Sequence, residues 1–394
     1  MDPTSLDLAT AAMRPFLEMV QEFGPRMSDP AACDFLAGNP EEPALPGYVE
    51  TIQRWAVPEH RRWFAYGFAD PRAQEAAAAS LSDELGLAFG AEDILLTRGA
   101  SGALALALRL ALEPGTGDEV VFLSPPWFFY EPMILGAGAT PVRVRTDPTT
   151  FDLDVGAIEA ALTPRTRVVL VNTPNNPTGR IYPSPTLERL AEVLRRRSAS
   201  NGRPVYVLSD ESYSKVLFDG ARMVTPASHY EATFLVHTYS KSTLAPGQRL
   251  GYLALPPSMP DRERLRQMAM VAALASGNAQ PDAIMQYALA DIEHITIDVE
   301  RLQRRRDRLL EALRTMGYEV HTPEATFYLL PRSPSADDWA FARRLASEKV
   351  LVLPGTVVEM PGYFRMSLTA NDDMVDRSLP VLERAIAAHP TRSA

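Results

Sequence analysis

The chain has very little cysteine. Cys33 is the single cysteine among 394 residues, so no intramolecular disulfide can form and no cluster of thiolates can bind a metal. A protein without disulfides is typical of a reducing compartment, and we expect a cytoplasmic location. The segment from Met1 to Pro15 has no basic residue before Arg14 and no long apolar run, so it does not read as a secretory signal.

Positive charge is also scarce. Lys plus Arg number 39 against 49 Asp plus Glu, a formal net charge of −10, so the surface offers no general basic field to nucleic acid or to an anionic membrane. Lysine in particular occurs only at Lys215, Lys241 and Lys349. Chemistry that requires a primary amine therefore has three side chains to choose from.

Other familiar signatures are missing. The richest apolar stretch, 102–112, is interrupted by Arg109 and is far shorter than the roughly 20 residues that span a bilayer. The glycine fingerprint of dinucleotide dehydrogenases and the Gly-Lys-Ser/Thr of a phosphate-binding P-loop are absent. The histidines show no metal-ligand spacing, so we predict no metal site; they are His60, His229, His237, His294, His321 and His389.

The residues that are present predict an α/β protein. Apolar residues make up 46% of the chain and charged residues 22%, which suits a folded protein of two domains. Short apolar runs predict buried strands, and helical patterns lie between them, so we expect βαβ units, a mostly parallel central sheet and helices on both of its faces. The strands are predicted at 119–123, 167–171, 205–208 and 233–236, and the helices at 101–112, 154–162 and 185–197.

The last third of the chain has a different residue pattern. A charged helical pattern over 284–316 predicts one long helix that links two domains. Strand-like runs at 326–330 and 350–353, followed by an amphipathic helix at 373–388, predict a smaller α+β C-terminal domain.

Ligands of parallel sheets bind beyond the carboxyl ends of the strands, and polar residues follow several predicted strands here. The loop after Val171 contains Asn176 between prolines, which favours a rigid functional loop over an ordinary turn. Asp210 and Tyr213 follow the next strand, where a functional carboxylate and a helix cap are equally good interpretations. Residues 97–102 precede a helix and could hold an anion, but an ordinary turn with a helix cap is the better explanation of this segment alone.

The strand at 233–236 is followed by Lys241 among hydroxyl residues and by Arg249 in a glycine-flanked turn. An isolated lysine is usually a solvated surface group, but this one lies at the mouth of a sheet in a lysine-poor chain. An amine, a carboxylate, a phenol, an amide and an arginine together match what pyridoxal 5′-phosphate needs: an aldimine lysine, a partner for the ring nitrogen, donors to the ring oxygen and an anion cradle.

From about Phe35 to Arg384 the sequence resembles the fold type I, class I/II aminotransferases of the aspartate aminotransferase superfamily, which are PLP-dependent transferases. The motifs that carry the resemblance are 176–179 (Asn-Pro-Thr-Gly), 210–213 (Asp-Glu-Ser-Tyr), 240–241 (Ser-Lys) followed by 247–252 (Gly-Gln-Arg-Leu-Gly-Tyr), and 364–367 (Phe-Arg-Met-Ser). The resemblance implies an N-terminal segment (1–45) that packs on the small domain, a large PLP-binding domain (46–282), and a linking helix with a small C-terminal domain (283–394).

The resemblance also implies residue roles in catalysis. Lys241 would form the internal aldimine and then move the α-proton of the substrate. Asp210 would keep the pyridine nitrogen protonated, a charge-assisted bond worth ~1.5–3 kcal/mol. Tyr213 and Asn176 would donate to the ring oxygen, and Trp127 would stack on the ring.

The phosphate and substrate sites follow from the same resemblance. Backbone at Ala100 and Ser101, with Thr238 and Arg249, would hold the phosphate. Tyr66 matches a tyrosine that reaches the phosphate of the neighbouring subunit, which implies a homodimer. The substrate α-carboxylate would be bound by Gly38, Asn176 and Arg365, the arginine through a bidentate pair.

The substrate and the reaction subtype stay open at this point. Glu41 and Glu42 follow the carboxylate-binding segment and would suit a cationic amino acid, but solvated loop charges explain them better. The aromatic run 127–130 would instead suit an aromatic pocket. Transamination between an amino acid and a 2-oxo acid is the main expectation, and the alternative is β/γ-elimination, replacement or cyclisation in specialised metabolism, on a cationic or a γ-substituted amino acid.

Overall fold

The computed structural model describes residues 3–275 and 281–388, and shows an α/β protein. Its helices are α1 (Ser5–Met27), α2 (Tyr48–Trp55), α3 (Pro71–Leu85), α4 (Gly99–Ala111), α5 (Tyr130–Gly136), α6 (Val155–Ala161), α7 (Ser184–Asn201), α8 (Tyr239–Ser242), α9 (Arg262–Ala275), α10 (Ala283–Ile292), α11 (Val299–Met316), α12 (Asp338–Ser347) and α13 (Asp372–Ala387). Its strands are β1 (Cys33–Asp34), β2 (Ile94–Thr97), β3 (Glu119–Ser124), β4 (Thr140–Arg145), β5 (Thr166–Asn172), β6 (Tyr206–Asp210), β7 (Thr233–Thr238), β8 (Gly251–Ala254), β9 (Tyr328–Leu329), β10 (Val350–Leu351), β11 (Leu353–Pro354) and β12 (Phe364–Ser367).

The central sheet has the strand order β2-β8-β7-β6-β5-β3-β4. Only β8 runs antiparallel to its two neighbours, β2 and β7, so the sheet is mostly parallel, as expected. Along β7, side chains alternate between two apolar cores: Phe234 and Val236 pack with α4 and α7, whereas Leu235 packs with α3 and α10. Burial on both faces is the reason that these strands read as continuous apolar runs.

The parallel strands bring polar residues to one edge of the sheet. Asn172 at the end of β5 pairs in register with Asp210 at the end of β6. Thr238 ends β7, the next strand across. The sheet therefore delivers an amide, a carboxylate and a hydroxyl to the same edge, at its carboxyl side.

A second core forms around a small antiparallel sheet of order β11-β12-β9, covered by α11, α12 and α13. The N-terminal segment joins this part of the molecule, because Cys33 of β1 pairs with Val350 of β10. Helix α1 packs there too: Phe23 stacks on Trp339 with ring centroids 6.1 Å apart. The domain boundaries at 45 and 282 stay a prediction.

The prediction of a single helix over 284–316 is wrong. The segment forms α10 and α11, which are separated by residues 293–298. The break contains Ile295, Thr296 and Ile297, whose branched side chains favour helix weakly. Asp298 then caps α11 by accepting from the Arg301 amide at 2.8 Å, and the Ile297 amide donates to the Ser242 carbonyl at 2.7 Å.

The predicted strand at 350–353 is also divided. Residues 350–351 form β10 and pair with β1, whereas 353–354 form β11 and pair with β12.

None of the helices in residues 3–275 and 281–388 combines the length and the hydropathy needed to cross a membrane.

Candidate active site

A cavity of about 240 Å³ lies at the carboxyl edge of the sheet, between the two cores. It collects almost all of the residues that the sequence singled out. They are Gly38, Ala100, Ser101, Trp127, Asn176, Asp210, Tyr213, Thr238, Lys241, Arg249 and Arg365. Tyr66 is the exception, since it lies outside the cavity with its side chain fully exposed.

Lys241 enters the cavity from α8, the short helix after β7. Thr238 caps that helix by accepting from the Ser240 amide at 3.3 Å, which fixes where the helix begins. The Lys241 Nζ lies 5.7 Å from the centroid of the Tyr213 ring and 5.6 Å from that of Phe327. The other two lysines form ion pairs elsewhere, Lys215 with Glu84 and Lys349 with Asp29.

Asp210 is buried at the end of β6. One carboxylate oxygen accepts from the Tyr130 hydroxyl at 2.7 Å, and the other accepts from the Ser212 amide at 3.1 Å and from the Ser212 hydroxyl. Burial raises the pKa of Asp210, while the bonds from Ser212 and Tyr130 and the charge of Lys241 oppose that rise. The carboxylate is thus held in place by the protein and faces an amine across the cavity.

Tyr213 and Tyr328 form a pair of buried phenols beside Lys241. The Tyr213 hydroxyl donates to the Tyr328 hydroxyl at 3.2 Å. Burial alone would raise the pKa of Tyr328, but the charges of Arg365 and Lys241 bring it below its ordinary value. Gly38 leaves room for this phenol, since a Cβ at position 38 would come within 2.5 Å of the Tyr328 hydroxyl.

Arg365 projects from β12 and is buried. Its Nη1 donates to the Asn176 side-chain oxygen at 3.0 Å and its Nη2 to the Leu36 carbonyl at 3.1 Å. The guanidinium carbon lies 4.0 Å from the centroid of the Tyr328 ring. Within the described part of the chain, the buried Nε has no hydrogen-bond partner. An unpaired buried donor is costly, so this arginine is arranged to take an anionic ligand.

An anion cradle forms where α4 begins. Residues Ala100 and Ser101 of its first turn line the cavity together with Thr238, Ser240 and Arg249. A Cβ at Gly99, whose φ is +71°, would approach Arg249 Nη2 within 2.8 Å. Arg249 itself has a φ of +24°, and its Nη1 donates to the Pro246 carbonyl at 2.8 Å. A helix N-terminus, three hydroxyls and a guanidinium together suit a phosphate.

The remaining wall is aromatic and apolar. Trp127 is half-buried, and Phe128 beside it stacks on Phe16 of α1 with ring centroids 4.5 Å apart. Met19, one turn further along α1, also lines the cavity. No sequence pattern predicted a role for Phe16, Met19, Ser240 or Tyr328, and Tyr130 was expected only as part of an aromatic pocket. Tyr130 and Ser240 lie next to predicted motifs and could have been found from them, whereas nothing in the sequence marks the two residues of α1.

The two acids considered for a cationic substrate do not line this cavity. Glu42 forms ion pairs with Arg301, at 3.0 Å, and with Arg305.

Within the described residues, no group of three or more His, Cys, Asp and Glu side chains could hold a metal ion. Of the six histidines considered in the sequence, His389 lies outside the described residues.

Comparison with known proteins agrees with this geometry. Residues 33–382 match the family model described as aminotransferase class I and II. An aspartate/prephenate aminotransferase of Thermus thermophilus is 32% identical over 361 residues, which cover 89% of this chain and 90% of that protein. The corresponding enzyme of Cereibacter sphaeroides is 31% identical and covers 86% and 87%.

Solved structures give the same result. An amino transferase from Eubacterium rectale superimposes with a TM-score of 0.87 at 27% identity, covering 97% of this chain and 96% of that one. The aspartate aminotransferase of Rhizobium meliloti superimposes with a TM-score of 0.81 at 27% identity, covering 94% and 96%.

Proposed function

The chain belongs to the class I and II aminotransferase family, and from that premise we propose which of its residues bind pyridoxal 5′-phosphate and transfer the proton. The protein is a PLP-dependent aminotransferase that acts on an amino acid and a 2-oxo acid. When bound, pyridoxal 5′-phosphate supplies an aldehyde carbon that accepts an amino group and a ring that withdraws electrons.

Three features of the cavity suit this cofactor. It contains Lys241, the anion cradle at the start of α4, and a buried carboxylate that accepts from two hydroxyl donors. The observation that carries the proposal is that Lys241, Asp210 and Arg365 line the same cavity. An amine to hold the cofactor, an acid for its ring nitrogen and a cation for the substrate carboxylate are the minimum that amino transfer requires.

Each residue then has one physical task. Lys241 Nζ would hold the cofactor, and the same amine would take and return the α-proton of the substrate. Asp210, ionised, keeps a proton on the ring nitrogen. Arg365 would bind the α-carboxylate through its guanidinium group.

The other predicted residues orient the ligands. Tyr213 and Asn176, which line the cavity, would donate to the ring oxygen, Trp127 would stack on the ring, and Gly38 keeps the wall open beside Tyr328. Ala100, Ser101, Thr238 and Arg249 would hold the phosphate, with Ser240 as an additional hydroxyl.

A direct test follows the cofactor through one half-reaction. Purified holoenzyme is mixed with single amino acids and the absorbance of the bound cofactor is followed, while the 2-oxo acid product is measured. We expect conversion to the amine form with one equivalent of 2-oxo acid. The Lys241→Ala variant should not convert, and Lys215→Ala, which changes a lysine outside the cavity, should. Release of ammonia or of a β- or γ-leaving group without that conversion would instead support elimination or replacement.

A homodimer is part of the proposal, and an exposed apolar surface supports it. Tyr66 and Phe68 are exposed, as are Met270 and Leu274 of α9, and these four side chains line one surface pocket. Phe64, next to it in the chain, is also exposed. Large exposed apolar groups in one place are typical of an interface, and a second copy of this chain would bring Tyr66 to its neighbour's phosphate cradle.

Hybrid dimers test the role of Tyr66. We expect Tyr66→Phe and Lys241→Ala homodimers to be impaired in cofactor affinity and in turnover respectively. A hybrid of the two has one native site if Tyr66 acts across the interface, because that site takes its lysine from one subunit and its tyrosine from the other. Failure of the hybrid to recover wild-type cofactor affinity at one site would contradict the assignment.

A cytoplasmic location also belongs to the proposal. It is supported by the single cysteine, Cys33, which is buried and has no partner for a disulfide. Cell fractionation with antibody detection checks it, and recovery outside the cytoplasmic fraction would contradict it.

A further inference from the structure

The helix that carries Lys241 is too short to hold its own position. Helix α8 has four residues, Tyr239–Ser242, and a single turn of helix forms poorly by itself because nucleation fixes several residues for one hydrogen bond. The capping bond from Thr238 fixes where the helix begins, but it comes from the neighbouring residue in the chain. Contacts from other segments therefore decide where the Lys241 side chain starts.

The segment between α10 and α11, residues 293–298, contacts both ends of α8. At the first residue of the helix, the buried Tyr239 hydroxyl donates to the Glu293 carboxylate. At the last residue, the Ser242 carbonyl accepts from the Ile297 amide at 2.7 Å. Because α10 packs against the central sheet and α11 against the small antiparallel sheet, the segment that joins the two cores also holds the lysine helix.

Glu293 is itself held in place. It directly follows α10, and its amide donates to the Leu289 carbonyl at 3.0 Å. Burial raises the pKa of its carboxyl group, whereas hydrogen bonds from Tyr239 and from Ser80 of α3 oppose that rise. The Tyr239 hydroxyl thus has an anchored acceptor.

The ring of Tyr239 packs in a small aromatic cluster. Its centroid lies 5.2 Å from that of His237 and 6.2 Å from that of Tyr252, and both pairs meet edge to face. These contacts depend on the ring and not on the hydroxyl. Tyr239→Phe therefore removes the bond to Glu293 and leaves the packing in place, so it isolates the contribution of that bond.

We propose that Tyr239 and Glu293 are positioning residues for catalysis, and that their hydrogen bond holds α8 so that the Lys241 amine can reach both the cofactor and the α-proton of the substrate. The inference rests on the proposed function, because it takes Lys241 to be the amine that transfers the proton. Neither positioning residue lines the cavity, so both act through Lys241 and not by touching a ligand. A displacement of a reacting group by about 1 Å costs up to about a hundredfold in rate.

Half-reactions of the holoenzyme separate positioning from binding. With an amino acid that the wild-type enzyme converts, Tyr239→Phe should lower the maximal rate constant of conversion by about tenfold and leave the dissociation constant of the amino acid within about twofold. Glu293→Leu removes the acceptor and should give the same loss. Glu293→Gln keeps a side-chain oxygen for the Tyr239 hydroxyl, so its rate constant should stay within about threefold of wild type.

The matched control is Tyr230→Phe. Tyr230 is also a buried phenol, and its hydroxyl donates to the Val205 carbonyl at 2.7 Å, at the amino end of the parallel strands and away from the cavity. This variant should leave the rate constant at the wild-type value. A loss equal to that of Tyr239→Phe would mean that any missing phenol hydroxyl has this effect, and it would overturn the inference.

Hydrogen exchange of the holoenzyme gives a readout that does not depend on turnover. The Thr243 amide donates to the Tyr239 carbonyl at 3.0 Å, and this bond protects it from exchange. A peptide that covers residues 239–243 should exchange at least about threefold faster in Tyr239→Phe and in Glu293→Leu. It should exchange at the wild-type rate in Glu293→Gln and in Tyr230→Phe.

The double variant Tyr239→Phe/Glu293→Leu decides whether the two side chains act as a pair. A shared hydrogen bond predicts a loss of about tenfold, as in each single variant, because the second change removes nothing further. A loss of about a hundredfold, or an unchanged rate and exchange in Tyr239→Phe, would overturn the inference and leave the proposed function intact. Failure of the wild-type holoenzyme to convert any amino acid would instead overturn the proposed function.

Discussion

Removal of the Tyr130 hydroxyl should change how Asp210 titrates. The hydroxyl donates to the buried carboxylate at 2.7 Å, and both residues are almost completely buried. A hydrogen bond to a charged group contributes ~1.5–3 kcal/mol, and one pKa unit corresponds to about 1.4 kcal/mol. Because the bond stabilises the ionised form, Tyr130→Phe should raise the pKa of Asp210 by about one to two units. Burial already raises that pKa, so the variant adds to an existing rise.

The consequence is measurable in two ways. As pH falls, Asp210 becomes protonated and can no longer hold a proton on the ring nitrogen, so the acidic limb of kcat/KM should move to higher pH by about one to two units. Affinity for pyridoxal 5′-phosphate, measured by absorbance titration of the apoenzyme, should fall by about tenfold.

The control for this experiment is Tyr318→Phe. Tyr318 is also a buried phenol, and its hydroxyl donates to the Leu382 carbonyl at 2.9 Å in the small domain, away from the site. It should lower stability without moving the pH profile or the cofactor affinity. The reasoning is refuted if Tyr130→Phe leaves both quantities unchanged, or if Tyr318→Phe shifts them equally.

Further predictions concern two other buried groups. Tyr328→Phe keeps the ring that stacks on Arg365 but removes the hydroxyl next to Tyr213. KM for the amino acid should therefore stay near wild type, while the pH titration of the cofactor absorbance should shift. Tyr328→Leu removes the stack on Arg365 and should raise KM by about threefold to tenfold. Equal KM values in the two variants would contradict this division. Burial raises the pKa of Glu211 from 4.5 to about 8, so the folded protein binds an extra proton between those values and its stability should fall as pH rises through that window. Glu211→Gln should therefore match the wild-type Tm near pH 5 and exceed it near pH 9, and a Tm difference independent of pH would refute the argument.

Much of the large domain follows from short-range sequence signals. Strands β3, β5, β6 and β7 are buried on both faces, so each appears as a continuous apolar run that ends at a polar cluster. Because parallel strands end at the same edge, their polar successors Asn176, Asp210 and Lys241 were expected to meet, and the structure brings them into one cavity. The ends of the predicted strands and the parallel sheet topology were therefore enough to predict that these three residues lie close together.

The parts that sequence analysis missed depend on tertiary contacts. The break between α10 and α11 is stabilised by the bond from Ile297 to Ser242, a contact between distant segments. Tyr328 reaches Arg365 only because the very short strands β9 and β12 pair, with Tyr328 opposite Ser367. Phe16 lies far from the site in the chain, and only the packing of α1 between the two cores brings it to Phe128.

The most direct test of the account is to find which lysine carries the cofactor. Holoenzyme is reduced with borohydride at one equivalent of pyridoxal 5′-phosphate per chain, digested, and searched by mass spectrometry for the phosphopyridoxyl group on the three lysines of the sequence. We expect the label on Lys241 alone, in near-stoichiometric amount. A label on Lys215 or Lys349, or reduced protein without any label, would contradict it.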